Sequence, residues 1–308
     1  MTDGVLLMAY GAPKRLDQVA TYYTDIRHGV PPPPALLAEL VGRYRAIGGG
    51  SPLSRIVERQ RLALAGELAR RGHRVRVYAG MKHIAPFIRD AVGRMAADGI
   101  GRAVALALAP QHSTFNAQTY VRAVEEAAAA HGADAPAFSF VGTWHDQPRL
   151  VEALAASTAE ALARLAEPER AHVLFTAHSL PERIARGGDP YAREVAATAA
   201  LVAERLGLTR CDVAFQSAGR TGDAWIGPEL RAEIRRVAAA GVREVVVSPV
   251  GFVADHLEVL FDVDIEARQV AREAGVRLER ARSLNDDPTF VAGLADLVLA
   301  ALARPLAA

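Results

Sequence analysis

Short apolar runs rich in β-branched residues alternate along this chain with Ala/Leu/Arg/Glu stretches whose apolar positions recur at helical spacing. The runs Val5–Ala9, Val75–Tyr78, Ala103–Leu108, Phe138–Val141, Val173–Thr176, Val213–Gln216, Val245–Val250 and Val276–Leu278 read as strands. Between them Arg55–Arg70, Ile84–Ala97, Ala117–Ala130, Leu150–Ala166, Ala192–Arg205, Glu229–Ala240 and Leu260–Arg272 read as helices. Such alternation predicts parallel sheets covered by helices on both faces. The strands fall into two sets of four, and a chain of 308 residues exceeds the usual size of one core. Together these predict an α/β protein of two doubly wound domains, joined near 142–150.

The two halves echo each other. VLLMAYG (5–11) and VLFTAHS (173–179) are each a buried strand followed by Ala, a ring side chain and a small residue. Tyr10 and His178 are thereby expected at equivalent carboxyl ends of two first strands. Ligands bind at those ends in open α/β sheets, and a cleft between two such domains is a usual ligand site. A histidine after a strand is also common as a structural residue. Here Pro181 and GGDPY (187–191) turn the chain just beyond it, and its imidazole titrates near neutrality, suiting it to proton transfer or to a borderline metal.

A row of carboxylates offers the partner. In ADHLEVLFDVDIEAR (254–268), Asp255, Glu258, Asp262 and Glu266 recur at spacings of three and four, near one line along a helix. Like charges four apart destabilise a helix by roughly 0.2–0.5 kcal/mol per pair. A capping box, Asp255 as N-cap with Glu258 three residues on, would explain the first two acids. It leaves Asp262 and Glu266 unexplained, and a ladder of carboxylates leading from solvent to a cleft offers a track for a divalent cation or protons. His256 falls on another face and reads as a packed imidazole.

Segment 27–55 stands apart in composition. Four prolines and three glycines flank a short helix, with Arg27, Arg43, Arg45 and Arg55 against one acid, Glu39. It is either a solvated insertion or a basic lip for carboxylate or phosphate groups.

Composition removes several classes. A net charge of +1, from 36 basic and 35 acidic side chains, gives no support for nucleic-acid or membrane-surface binding. The single cysteine, Cys211, supplies neither an intrachain disulfide nor the four thiolates of an iron–sulfur cluster. The amino terminus carries no basic leader, and no uncharged apolar run nears the roughly 18 residues of a membrane span, so a soluble cytoplasmic protein is expected. There is no GxGxxG after a strand, no GxxxxGK[ST], no HExxH and no GxSxG. Ser179 in AHSLP lacks the glycine cluster an oxyanion hole would need. No heptad or apolar face demands a partner, so a monomer is the default.

Beyond this reading, the chain resembles the ferrochelatase family. TAHSLPERI with GGDPY looks like its signature, and VSPVGFVADHLEVLFDVDIE like its second metal-site segment. LLMAYGAP, IRHG, RYRAIGGGSPL, GMKHIAPFI and WIGP follow in family order, with the LLMAYG tyrosine and YYTDIRHG nearest the coproporphyrin branch. The resemblance implies a chelatase-like fold of two Rossmann-like domains, 1–145 with a C-terminal helix 286–308, and 146–285, with the active cleft between them and 27–55 as a porphyrin-covering lip. It implies a lyase that inserts ferrous iron, as substrate, into coproporphyrin III in haem biosynthesis. Protoporphyrin IX, or a non-catalytic tetrapyrrole carrier, is the alternative. His178 and Glu258 are implied as the catalytic and metal pair, with Asp262 and Glu266 continuing the ladder, on a helix locally widened to π type. Tyr10, Arg27, Arg43, Tyr44, Ser51 and Tyr120 are implied around the porphyrin, Tyr10 also as an axial ligand to product iron. A divalent cation such as Mg(2+) at the outer ladder and transient contact with other haem-pathway enzymes complete the expectations. PQHST (110–114) and AWIGP depart from the usual family pattern, which leaves the roles of His112 and Trp225 open.

Overall fold

The computed structural model describes residues 2–219 and 222–304. Residues 305–308 of the expected C-terminal helix lie outside the described residues. The chain divides into two compact units, one of Met1–Ala109, Phe115–Trp144 and Asn285–Ala308, the other of Pro110–Thr114 and His145–Leu284.

In the first unit the strands are β1 (Thr2–Ala9), β2 (Arg76–Met81), β3 (Ile100–Ala107) and β4 (Ala137–Phe140), all parallel in the order β2-β1-β3-β4. Its helices are α1 (Val19–Ile26), α2 (Pro34–Ala46), α3 (Leu53–Arg70), α4 (Ile88–Ala97) and α5 (Thr114–Ala129). Central β1 is buried on both faces from Gly4 to Ala9, as a covered parallel strand requires. Leu6 and Met8 pack with Val92 and Met95 of α4 and with Val124 of α5 in one cluster.

The second unit repeats the plan. Its helices α6 (Pro148–Leu162), α7 (Glu182–Arg186), α8 (Tyr191–Leu206) and α9 (Leu230–Ala239) come with β5 (His172–His178), β6 (Cys211–Gln216), β7 (Glu244–Ser248) and β8 (Arg277–Arg280). The strand order is β6-β5-β7-β8, again all parallel. In both sheets the first strand is central and the winding reverses beside it, between β1 and β3 and between β5 and β7. His178 closes β5 at that reversal, where ligands bind in sheets of this class.

The acidic helix is not continuous. It runs as α10 (Leu257–Leu260), a π segment (Asp262–Ala267) and α11 (Arg268–Glu273). The amide of Glu266 reaches back five residues to the carbonyl of Phe261, at 3.0 Å. Val263 and Ala267, one residue after Asp262 and Glu266, are fully buried against Leu174 of β5 and Val245 and Val247 of β7. Burying one valine contributes about 1.5–3 kcal/mol, several times the repulsion of one like-charged pair. The apolar face therefore fixes the helix, and the acids follow its register.

The expected capping box does not form. The N-cap is His256, in extended backbone and without a side-chain cap. Asp255 is drawn away by Ser283, whose hydroxyl donates to it at 2.8 Å, and by Arg280 at 3.3 Å. A partly buried guanidinium outcompetes a helix end for the carboxylate.

C-terminal α12 (Pro288–Leu302) packs on α3 in the first unit. Arg71 pairs with Asp296 at 2.6 Å, Gln60 donates to the carbonyl of Asn285 at 2.6 Å, and Trp144 stacks on Phe290. No helix among the described residues is long and apolar enough to cross a membrane.

Two contacts shape the second unit near His178. Gly251, after β7, lies so close to β5 that a Cβ there would sit 2.4 Å from the Ala177 Cβ, and its amide donates to the carbonyl of Thr176. Asp189, from GGDPY, accepts from Thr114 N (2.7 Å), Thr114 Oγ1 (2.6 Å), Ser113 Oγ (3.2 Å) and Tyr191 N (2.9 Å). This clasp assigns 110–114 to the second unit. Burial pushes the Asp189 carboxyl up, but these donors outweigh it and hold it below the usual range. A lowered folded-state pKa gives stability that is present above the unfolded value of about 3.9 and lost as pH falls. Asp189→Ala is expected to lower unfolding stability by about 1–3 kcal/mol at pH 7 and by less near pH 3. Chemical denaturation at both pH values checks this, and an equal loss at each would exclude the ionised clasp.

Candidate active site

His178 and Glu258 meet in the second unit. The imidazole Nε2 lies 3.5 Å from Glu258 Oε1, with side chains 32% and 35% exposed. The sequence separates them by eighty residues; the sheet brings them together because β5 and β7 are neighbours and α10 begins just beyond β7. The His178 Nδ1 is held by the carbonyl of Ser179, which fixes the ring and presents Nε2 to the acid. Gln216, opposite His178 in the β5–β6 register, donates to the Glu258 carbonyl at 2.6 Å.

A third ring completes the cluster. His256 Nε2 lies 3.4 Å from Glu258 Oε2, while its Nδ1 is held by the carbonyl of Ala254. Sequence reading took His256 for a packed imidazole on another face. At an N-cap in extended backbone the side chain escapes helical spacing, so counting positions could not reveal it. The signal available was the His-x-Glu pair itself.

Charge in the cluster is strongly shifted. Burial alone would lower the His178 imidazole, but the Glu258 carboxylate, helped by the Ser179 carbonyl and Asp262, raises it to about 9. His256 moves up for the same reasons, burial opposing and Glu258 prevailing. Burial would raise Glu258, yet the two imidazoles hold it far below the ordinary carboxylate range. At neutral pH the resting site is thus an imidazolium–carboxylate pair, and a cation coming to His178 must displace a proton.

The ladder behind it is differentiated. Asp262 is buried and takes a hydrogen bond from the Ser217 hydroxyl. Glu266 lies 3.4 Å from Arg231 at the more open end. In an α-helix residues four apart are offset by about 40° around the axis; the wider turn of the π segment reduces that offset. Among the described residues no three His, Cys, Asp or Glu side chains are grouped to hold a metal ion. His178 and Glu258 can give an incoming cation two donors, leaving its other positions for a further ligand.

Trp225 lies 6.4 Å from His178, with Gly219 beneath it; a Cβ there would meet the indole at 2.5 Å. Ser179 is buried and donates to the carbonyl of Ile226, so it is a structural hydroxyl. The His112 amide donates to Glu194, part of the clasped loop.

The first unit carries its own cluster at the ends of β1 and β2. Tyr10 is 37% exposed, its ring 4.4 Å from that of His83. Lys82 Nζ lies 5.4 Å from the Tyr10 ring and 5.5 Å from the Tyr120 ring and donates to Thr119 at 2.7 Å. Burial lowers Lys82 and His83, with Asp25 opposing in both. Burial, and next to it Tyr10, raises the Tyr120 phenol. Tyr44, Tyr120 and Ser51 are buried, so of the expected pocket residues Tyr10 is the open aromatic. Arg43 is paired with Glu39 at 3.0 Å, whereas Arg27 Nε is buried without an acceptor.

The family model for ferrochelatases matches residues 2–302. A coproporphyrin III ferrochelatase of Geobacillus thermodenitrificans is 43% identical, covering 98% of this chain and 97% of that protein. A ferrochelatase of Deinococcus radiodurans is 40% identical, covering 96% and 94%. Among solved structures, SirB from Bacillus subtilis with Fe3+ aligns with a TM-score of 0.61 at 12% identity, over 97% of this chain and 95% of that one, a likeness of fold.

If the Glu258 charge is what raises His178, Glu258→Gln must return the imidazole from about 9 towards the ordinary value near 6.5. NMR titration of the histidine ring measures this directly, and an unmoved midpoint would show that the carboxylate is not the cause.

Proposed function

This chain belongs to the ferrochelatase family, and from that premise we propose that it inserts ferrous iron into coproporphyrin III, a lyase reaction of haem biosynthesis. The observation that carries the reading is the His178–Glu258 pair at the winding reversal of the second sheet, backed by a graded row of acids. Insertion forms bonds from iron to four ring nitrogens and releases two pyrrole protons. The protein must therefore accept protons while neutralising an arriving dication.

His178 begins protonated. It releases that proton outward along Asp262 and Glu266 as the cation arrives, then takes the two pyrrole protons in turn and passes each along the same route to water. Glu258 stays ionised throughout its pairing with two imidazoles, so it serves as counter-charge to the cation. Asp262 and Glu266 continue the route outward. Propionate binding by Arg27 and Arg43 supplies remote binding energy that can be spent on bending the flat macrocycle. Arg27, with a buried unfilled donor, fits a carboxylate best. Tyr10 faces the macrocycle and serves as axial ligand to product iron, with Tyr44, Ser51 and Tyr120 shaping its surroundings.

Coproporphyrin is preferred over protoporphyrin because four carboxylates match the arginine excess of 27–55, and the curated relative above carries that substrate in its name. A divalent cation such as Mg(2+) would sit at Asp262 and Glu266 after displacing Arg231. No iron–sulfur cluster is needed, since one cysteine offers one thiolate. The enzyme works in the cytoplasm without inserting into a membrane, and hands product on through transient contact with the next haem-pathway enzyme.

His178→Ala and Glu258→Gln are each expected to lower iron insertion about 100-fold or more while leaving porphyrin binding measurable. Glu266→Gln should cost less than Glu258→Gln. A visible-absorption assay with ferrous iron and coproporphyrin III reads all three, and near-normal turnover in either of the first two would defeat the assignment. Separately, Arg27→Ala should raise KM for coproporphyrin about five- to tenfold, and for a two-propionate porphyrin by less. Equal effects on both porphyrins would remove Arg27 from propionate recognition.

A further inference from the structure

The pair formed by Asp25 and His83 has no part in the chemistry described so far. His83 Nδ1 lies 2.7 Å from Asp25 Oδ2, joining α1 to the loop after β2. A carboxylate only accepts, so Nδ1 carries the hydrogen whatever the charge of the ring, and the orientation of the imidazole is fixed. His83 is 9% exposed, which makes this bond worth more than a surface one. Its ring is packed at 4.4 Å and 57° against Tyr10, and edge-on to Tyr22 at 6.5 Å. The backbone joins the same arrangement, since the His83 amide donates to the Tyr10 carbonyl at 3.0 Å. Tyr22 in turn donates to the carbonyl of Gly11, fixing the chain on the other side of Tyr10.

We infer that Asp25 is a positioning residue that sets the Tyr10 phenol through the His83 ring. The inference rests on the reading in which Tyr10 faces the macrocycle. Tyr10 is 37% exposed, and the His83 ring and the Lys82 ammonium, 5.4 Å from its centroid, are among the neighbours that hold its rotamer from behind. Lys82 is itself anchored to Thr119. Without the Asp25 acceptor, the His83 ring can turn about its Cβ–Cγ bond, and the surface against which Tyr10 rests changes shape. Asp25 is 44% exposed at a helix end, so its replacement leaves the core intact.

The test is a double-mutant cycle on the full chain, with affinity for iron coproporphyrin III measured by absorbance titration. Tyr10→Phe is expected to weaken binding. Asp25→Ala should weaken it about five- to tenfold, the size of one charge-assisted hydrogen bond. Asp25→Asn, which keeps an acceptor oxygen, should stay within about twofold of wild type. In the Tyr10→Phe background Asp25→Ala should have no further effect, which a general structural role would not produce. If Tyr10→Phe binds like wild type, the Tyr10 reading falls and this inference with it. If Tyr10→Phe weakens binding but Asp25→Ala is silent, or adds its full effect to Tyr10→Phe, the positioning role alone is overturned.

Discussion

Everything at the candidate active site depends on holding two opposite charges together where water is scarce enough for them to matter. An imidazolium and a carboxylate at 3.5 Å on an open surface would be a weak pair. Here each is only a third exposed, and each is clamped through its other polar atoms. His178 leans on the Ser179 carbonyl, and the Glu258 backbone takes the Gln216 amide while its second oxygen faces His256. The pair therefore has little freedom to relax except by exchanging a proton for another cation. In the proposed reaction, that exchange is the step metal insertion would draw on.

The ladder behind the pair shows how a fold tolerates an unfavourable row of like charges. Each of Asp262 and Glu266 is followed by a buried apolar residue, Val263 and Ala267, that ties the segment to the β5–β7 face. Asp262 is relieved by Ser217, Glu266 by Arg231, and Asp264 by Arg280 at 2.9 Å. Repulsion is answered residue by residue, while the helix itself is held by core packing.

Much of this was legible in the sequence, for reasons that differ by element. Central β1 and β5 stood out because strands covered on both faces are continuously apolar, whereas the edge strand β8 carries three charged residues in four. Strand ends shifted by a few residues, since pairing rather than composition decides where a strand stops. β2, for example, runs on to Met81 beside β1. The π segment was not recoverable from periodicity, because i,i+4 spacing reads the same until the backbone bonds are seen. The capping-box reading of Asp255 failed because Ser283 and Arg280, which engage its carboxylate, lie 25 and more residues away. His256 was undervalued for the opposite reason, its position being judged by a helical wheel that had not yet begun. The family resemblance named His178 and Glu258, and the sheet brings those two side chains to 3.5 Å. Asp25 and His83 lay in quoted motifs, yet nothing in the sequence joined them across fifty-eight positions.

The close approach at Gly251 has a mechanical meaning. With no side chain there, the loop leading from β7 to the acid rides directly on the strand that ends in the imidazole. A side chain introduced at 251 would therefore have to part the two segments that carry the acid and the imidazole.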